Sequence, residues 1–167
     1  RSDVFIVKRK GVSVVCNLAP DHLDYMPTVE SYYESKFNIA MNQKEDDWFL
    51  RNVDDELVMH YSKDINCRII DFSLVRDDVD LCIKGNEVLF ENEHLFYVND
   101  LKVVGMHNVS NAMIAGTMAL KLGVSRENVE KALTNFKGIE HRIEYIGEKN
   151  GIRFYNDSKA TNTQAAC

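Results

Sequence analysis

Two hydrophobic patterns alternate along this chain. Short, continuous apolar runs occur at Val4-Phe5-Ile6-Val7, at Ser13-Val14-Val15-Cys16-Asn17-Leu18, at Trp48-Phe49-Leu50 and at Arg68-Ile69-Ile70-Asp71-Phe72-Ser73. Runs of that length, rich in β-branched and aromatic residues, predict core strands. Between them the apolar residues recur at helical spacing. Val29, Tyr32, Tyr33, Phe37 and Ala40 form one stripe behind a Thr28 N-cap, with Pro27 before it and Glu30 in the first turn. Asp54-Asp55-Glu56-Leu57 predicts a short helix with an acidic start.

The pattern changes over residues 80–98, where short apolar pieces are separated by Lys84-Gly85-Asn86-Glu87 and Glu91-Asn92-Glu93-His94, predicting a small antiparallel meander. After Gly105 the chain turns into a helix whose small residues Ala112, Ala115, Gly116 and Ala119 predict close, buried packing. Gly123 is its C-cap, and Ser125 caps a second helix with apolar positions Val129, Leu133 and Phe136. Beyond Lys137-Gly138, which reads as a linker, alternation resumes around a turn at Asn150-Gly151. It ends in Gly151-Ile152-Arg153-Phe154, a strand leading to a polar turn and the start of a helix. The fold class expected is α/β: a mostly parallel sheet flanked by helices, a small antiparallel meander, and a short terminal strand and helix start.

Composition narrows the function classes. The net charge of −6 argues against a nucleic-acid surface, which needs clustered Lys and Arg. The helix pair around Gly123 has helix-turn-helix spacing, but its second helix sets Glu127, Asn128 and Glu130 against only Arg126 and Lys131. Cys16, Cys67, Cys82 and Cys167 have neither zinc-site spacing nor a disulfide framework, which suits a reducing cytoplasm. No apolar run approaches membrane-spanning length. The chain opens on Arg1 rather than Met and stops a few residues into an apparent helix, so it reads as cut at both ends.

Candidate chemistry gathers where strands end. Tyr155-Asn156-Asp157-Ser158-Lys159-Ala160-Thr161-Asn162 follows the terminal strand and combines a lysine for phosphate, a carboxylate for a sugar hydroxyl and hydroxyl side chains. In open α/β folds such junctions face the ligand crevice, and helix N-termini favour anions. Pro20-Asp21-His22-Leu23-Asp24 closes the second apolar run with an imidazole between carboxylates, a set suited to a hard cation. Lys36 falls in the middle of the apolar stripe, where it must snorkel outward, pair with a carboxylate or be converted to an anionic carbamate. Asn108 and Asn111 stand three apart in a first helical turn, where amides can cap the helix or reach phosphate and a purine edge. Arg142 stands at the linker, well placed to clamp phosphate.

Four blocks in order, at residues 17–24, 105–112, 136–144 and 154–162, give the chain a resemblance to the Mur ligase superfamily over nearly its whole length. The last block looks like the form in the branch that adds D-glutamate to UDP-N-acetylmuramoyl-L-alanine. The resemblance implies a cytoplasmic, ATP- and Mg2+-dependent enzyme of peptidoglycan precursor synthesis, monomeric at full length. Residues 1–138 would be the later part of its central ATP-binding domain, and 139–167 a linker and the start of its C-terminal domain. It also implies that His22 and a carbamylated Lys36 hold metal, and that Asn108 and Asn111 contact the nucleotide. Arg142 and Lys159 would meet its phosphates and the transferring phosphoryl group, Asp157 the ribose, and Ser158 and Thr161 the acceptor or acyl phosphate.

The chain also departs from the family pattern. It carries no Gly-x-x-Gly-Lys-Thr-type phosphate loop and no Glu-Ser-Ser segment, and Glu140 stands where many relatives have proline. The expectation is therefore a segment inactive by itself. The alternative is a non-catalytic nucleotide-binding or interaction module built on the same fold.

Overall fold

The computed structural model describes residues 11–19 and 28–160. The first apolar run, His22 with its neighbouring carboxylates, and Thr161 lie outside those residues. Strands β1 (Val12–Val15), β2 (Trp48–Asn52), β3 (Arg68–Phe72), β4 (Leu81–Lys84), β5 (Glu87–Phe90) and β6 (Glu93–Tyr97) form one six-stranded sheet in which spatial order repeats chain order. The first four are parallel neighbours; β4, β5 and β6 pair antiparallel. The meander therefore continues the parallel sheet. Its union with that sheet is narrow, a single ladder position at Phe72 and Leu81.

Alternation along the parallel strands sends neighbours to opposite faces, and both faces are covered. On one face Leu50, Ile70, Phe72 and Leu81 pack with Val109, Ala112 and Met113 of α3 (Met106–Lys121) and Val129 of α4 (Arg126–Asn135). On the other, Phe49 packs in a smaller cluster with Val15 and with Val58 of α2 (Glu56–Tyr61). Phe37 of α1 (Val29–Phe37) completes that cluster, its ring 6.2 Å from Phe49 and 6.0 Å from Tyr61. Continuous apolar runs are the signature of such doubly covered strands.

The caps follow their chemistry in part. Thr28 and Ser31 exchange side chain and backbone bonds as a capping box at α1, and Asp55 Oδ1 accepts from Leu57 and Val58 at α2. Ser125 holds the N-cap position of α4, yet its side chain makes no capping bond. Expected positions shift elsewhere too. Helix α1 ends at Phe37, so Ala40 lies in the following 3₁₀ turn (Asn38–Ala40). Phe136, read as an apolar position of α4, is its extended C-cap and stays half exposed. Ala115, expected in a buried small-residue contact, is exposed.

Helix α4 is fastened inward through Arg126. Arg126 donates to the carbonyls of Phe90 and His94 and pairs with Glu93 at 2.8 Å, so its guanidinium is spent within the fold. His94 completes the fastening: Nδ1 meets Glu87 at 2.7 Å and Nε2 meets Glu130 of α4 at 3.3 Å. Burial by itself pulls the imidazole down, but the two carboxylate hydrogen bonds together outweigh it and hold His94 above its ordinary value. A raised folded value contributes stability that is full below the unfolded value, about 6.5, and lost as pH rises through the folded one. The melting-temperature advantage of wild type over His94→Gln should thus be larger at pH 5.5 than at pH 8.5. An advantage that stays constant across that window would show that charge on His94 adds nothing.

After α4 an irregular segment leads to an antiparallel hairpin, β7 (Glu144–Lys149) and β8 (Ile152–Asn156), closed by Asn150-Gly151 with both residues left-handed at φ 55° and 76°. No helix among the described residues is long and apolar enough to cross a membrane.

Candidate functional site

The site is built where the segment after α4 folds back across the start of α3. Gly105, at φ 96°, admits the sharp entry into α3. That turn sets Asn108 and Asn111 along one edge of a cleft of about 680 Å³. Ala112 and Ala115 form its floor on α3, and Leu133 and Phe136 an apolar wall on α4. The opposite side comes from Arg142, Glu144, Tyr145 and Tyr155. The two tyrosine rings meet edge to face at 5.6 Å. Ala115 is exposed because it opens on this cleft; its small side chain widens the cleft rather than tightening a helix contact.

Polar groups converge on these apolar walls. Asn108 Nδ2 donates to the Val104 carbonyl at 2.7 Å, which fixes the amide and leaves Oδ1 turned away as an acceptor. This is the local, backbone-directed use of asparagine, although made to the preceding loop rather than to the helix's own N–H groups. Asn111 is exposed, with both donor and acceptor available at the cleft edge. Arg142 is exposed on the other side, between two left-handed residues, His141 at φ 68° and Ile143 at φ 46°.

The polar turn after β8 is laced to the same segment. Asp157 Oδ1 accepts from the Ile143 amide at 3.2 Å, and the Lys159 amide donates to the His141 carbonyl at 3.1 Å. Asp157 is half-buried, whereas Ser158 and Lys159 are exposed and do not line the cleft. Asn108, Asn111 and Arg142 thus come together directly, and Asp157 and Lys159 join them through backbone contacts. Lys36 does not belong to this group. It lies on α1, half-buried, with its ammonium 4.8 Å from the centroid of the Tyr32 ring one turn earlier. Among the described residues no set of three or more His, Cys, Asp and Glu side chains could hold a metal.

Residues that sequence reading passed over also shape the site. Tyr145 was legible only as a strand position, Tyr155 and Asn156 were placed in the polar turn but lie in β8, and neither Glu144 nor Asn156 received a role of its own. The signal available for them was their proximity in sequence to Arg142 and Asp157.

A family model described as the Mur ligase middle domain matches residues 7–119. This chain belongs to the Mur ligase family. Its relatives include the UDP-N-acetylmuramoylalanine--D-glutamate ligase of Lachnoclostridium phytofermentans, 37% identical over 163 residues, a match covering 95% of this chain and 36% of the relative. The enzyme of the same name from Ligilactobacillus salivarius is 39% identical over 155 residues, covering 92% of this chain and 34% of the relative. The chain therefore spans about a third of the length of these Mur ligases. Among solved structures, MurF from Acinetobacter baumannii superposes with a TM-score of 0.76 at 20% identity, over 93% of this chain and 35% of that one. That likeness confirms the Mur ligase fold. The mixed sheet with its helices and separate hairpin is the architecture expected from the hydrophobic pattern.

Proposed function

We propose that this chain is the nucleotide-binding part of an ATP-dependent ligase that joins D-glutamate to UDP-N-acetylmuramoyl-L-alanine in the cytoplasm. Residues 1–138 form the later part of the central domain, and 139–167 the linker and first segment of the C-terminal domain. The observation that carries this reading is the meeting of Asn108 and Asn111 with Arg142, distant from them in sequence, around one apolar cleft. Flat apolar walls with a few convergent polar groups suit a purine. Asn108 Oδ1 accepts from an exocyclic amine, and Asn111 supplies a donor to a ring nitrogen.

Arg142 then takes the phosphates, since a planar guanidinium matches their oxygens in a way an ammonium does not. Asp157, with Oδ1 committed to the Ile143 amide, accepts a ribose hydroxyl on Oδ2. Lys159 steadies the phosphoryl group during transfer, and Ser158 and Thr161 serve the acceptor or the acyl phosphate. In the reaction, ATP phosphorylates the terminal carboxylate of the UDP-linked substrate. The amine of D-glutamate attacks the resulting acyl phosphate, and the tetrahedral species collapses with loss of phosphate.

His22 and Lys36 are the residues of this chain that would hold magnesium, which when bound neutralises phosphate charge. The chemistry of the pair sets a condition. As the ammonium lying against Tyr32, Lys36 offers a cation no electron pair; as a carbamate it offers two oxygens.

The test is phosphate release by the full-length protein with ATP, magnesium and UDP-N-acetylmuramoyl-L-alanine, offering D-glutamate, L-glutamate, L-lysine or meso-diaminopimelate in turn. Turnover with D-glutamate alone is expected. The 167-residue chain assayed in parallel should show none, because it carries no phosphate loop. Turnover with a different amino acid would reassign the substrate, and turnover by the short chain would overturn its dependence on the missing loop.

A further inference from the structure

Arg142 has an unusual backbone setting. His141 at φ 68° and Ile143 at φ 46° both occupy the left-handed region. For residues bearing a Cβ, and above all for β-branched isoleucine, that conformation is unfavourable and persists only where surrounding contacts over-determine it. Here the contacts are specific. Glu144 Oε2 accepts the His141 amide at 2.9 Å and lies 3.4 Å from Asn156 Nδ2. Asn156 Nδ2 also donates to His141 Nδ1 at 2.8 Å.

The orientation of the Asn156 amide is determined by its other end, since its Oδ1 accepts from the Ser158 amide at 3.1 Å. The nitrogen must therefore face His141, and Nδ1 of that ring must be the acceptor, with the ring proton on Nε2. Two further bonds, Ile143 amide to Asp157 and Lys159 amide to the His141 carbonyl, run parallel to this cluster. Four of these contacts span the same gap, from the segment carrying Arg142 to the turn carrying Asp157 and Lys159: Asn156 to His141, Asn156 to Glu144, Ile143 to Asp157 and Lys159 to His141.

We propose that Glu144 and Asn156 are positioning residues that lock these two segments into one preformed unit, so that Arg142, Asp157 and Lys159 present to the nucleotide together. This rests on the nucleotide reading given above. Neither residue needs to touch a phosphate. Their effect is to hold two unfavourable backbone conformations whose release would swing Arg142 out of register.

The experiment combines amide exchange with steady-state kinetics in the full-length protein. In Glu144→Ala, exchange at His141 and Ile143 should rise about fivefold or more as one hydrogen bond is lost, with the amides of α3 and α4 unchanged. The KM for ATP should rise about tenfold. Glu144→Gln, which keeps an acceptor for the His141 amide, should recover most of both losses. Added to Arg142→Ala, Glu144→Ala should cost clearly less than it does alone, because part of its effect acts through the same guanidinium. Multiplying losses in the double variant, unchanged exchange, or failure of the glutamine to rescue would each overturn the positioning role. If Arg142→Ala alone left KM and kcat unaltered, the nucleotide reading would fall and the positioning role with it, while exchange would still report whether the lock exists.

Discussion

Arg142→Ala in the full-length protein should lower kcat/KM for ATP by about 100- to 1000-fold, the range lost when one preorganised group facing transition-state charge is removed. The side chain is exposed on the rim of the cleft, so its removal leaves no cavity and should not change the melting temperature. Arg142→Lys should restore little, since an ammonium cannot hold two phosphate oxygens in one plane. Kinetics with ATP varied, alongside a melting curve for each variant, make the check. A change of less than about threefold would remove Arg142 from the reaction and leave the cleft with asparagines alone.

Phe72→Ala should cost about 3–5 kcal/mol of folding stability, measured as a fall in the denaturation midpoint. Phe72 is fully buried, and it is also the β3 residue at the one ladder position joining the parallel strands to β4. Truncation there opens a void in the main core and loosens the weakest union in the sheet. Against a typical domain stability of about 5–15 kcal/mol such a loss is severe. A fall below about 1 kcal/mol would mean that the two halves of the sheet are held together elsewhere.

Much of this architecture was legible because its signals are local. Asn150-Gly151 adopts the two left-handed residues that its hairpin demands, and the doubly covered strands announce themselves as unbroken apolar runs such as Trp48-Phe49-Leu50. What escaped was set by distance. Nothing near His94 in sequence reveals Glu130, which reaches it from α4. Ala115 was misjudged for a related reason: a small residue on a helix signals close approach, and here what approaches is a cleft. The site was readable as separate residues with suitable chemistry. Their convergence, and the lacing of Glu144 and Asn156 that accompanies it, depend on a return of the chain that no local pattern encodes. Lys36 stood out in the sequence because it interrupts an apolar stripe, and its contact with Tyr32 shows how a helix accommodates such a lysine within a single turn.

A sheet whose strands lie side by side in the order they are synthesised carries a consequence for assembly on the ribosome. Each new strand finds its partner already made and adjacent, so the sheet can grow in one direction without waiting for distant segments. The hairpin emerges near the end of the described residues, and its Glu144, Tyr145 and Tyr155 help to close the cleft. During translation the core of the described residues would thus be formed before the cleft exists, and the cleft would take shape only after its scaffold had set.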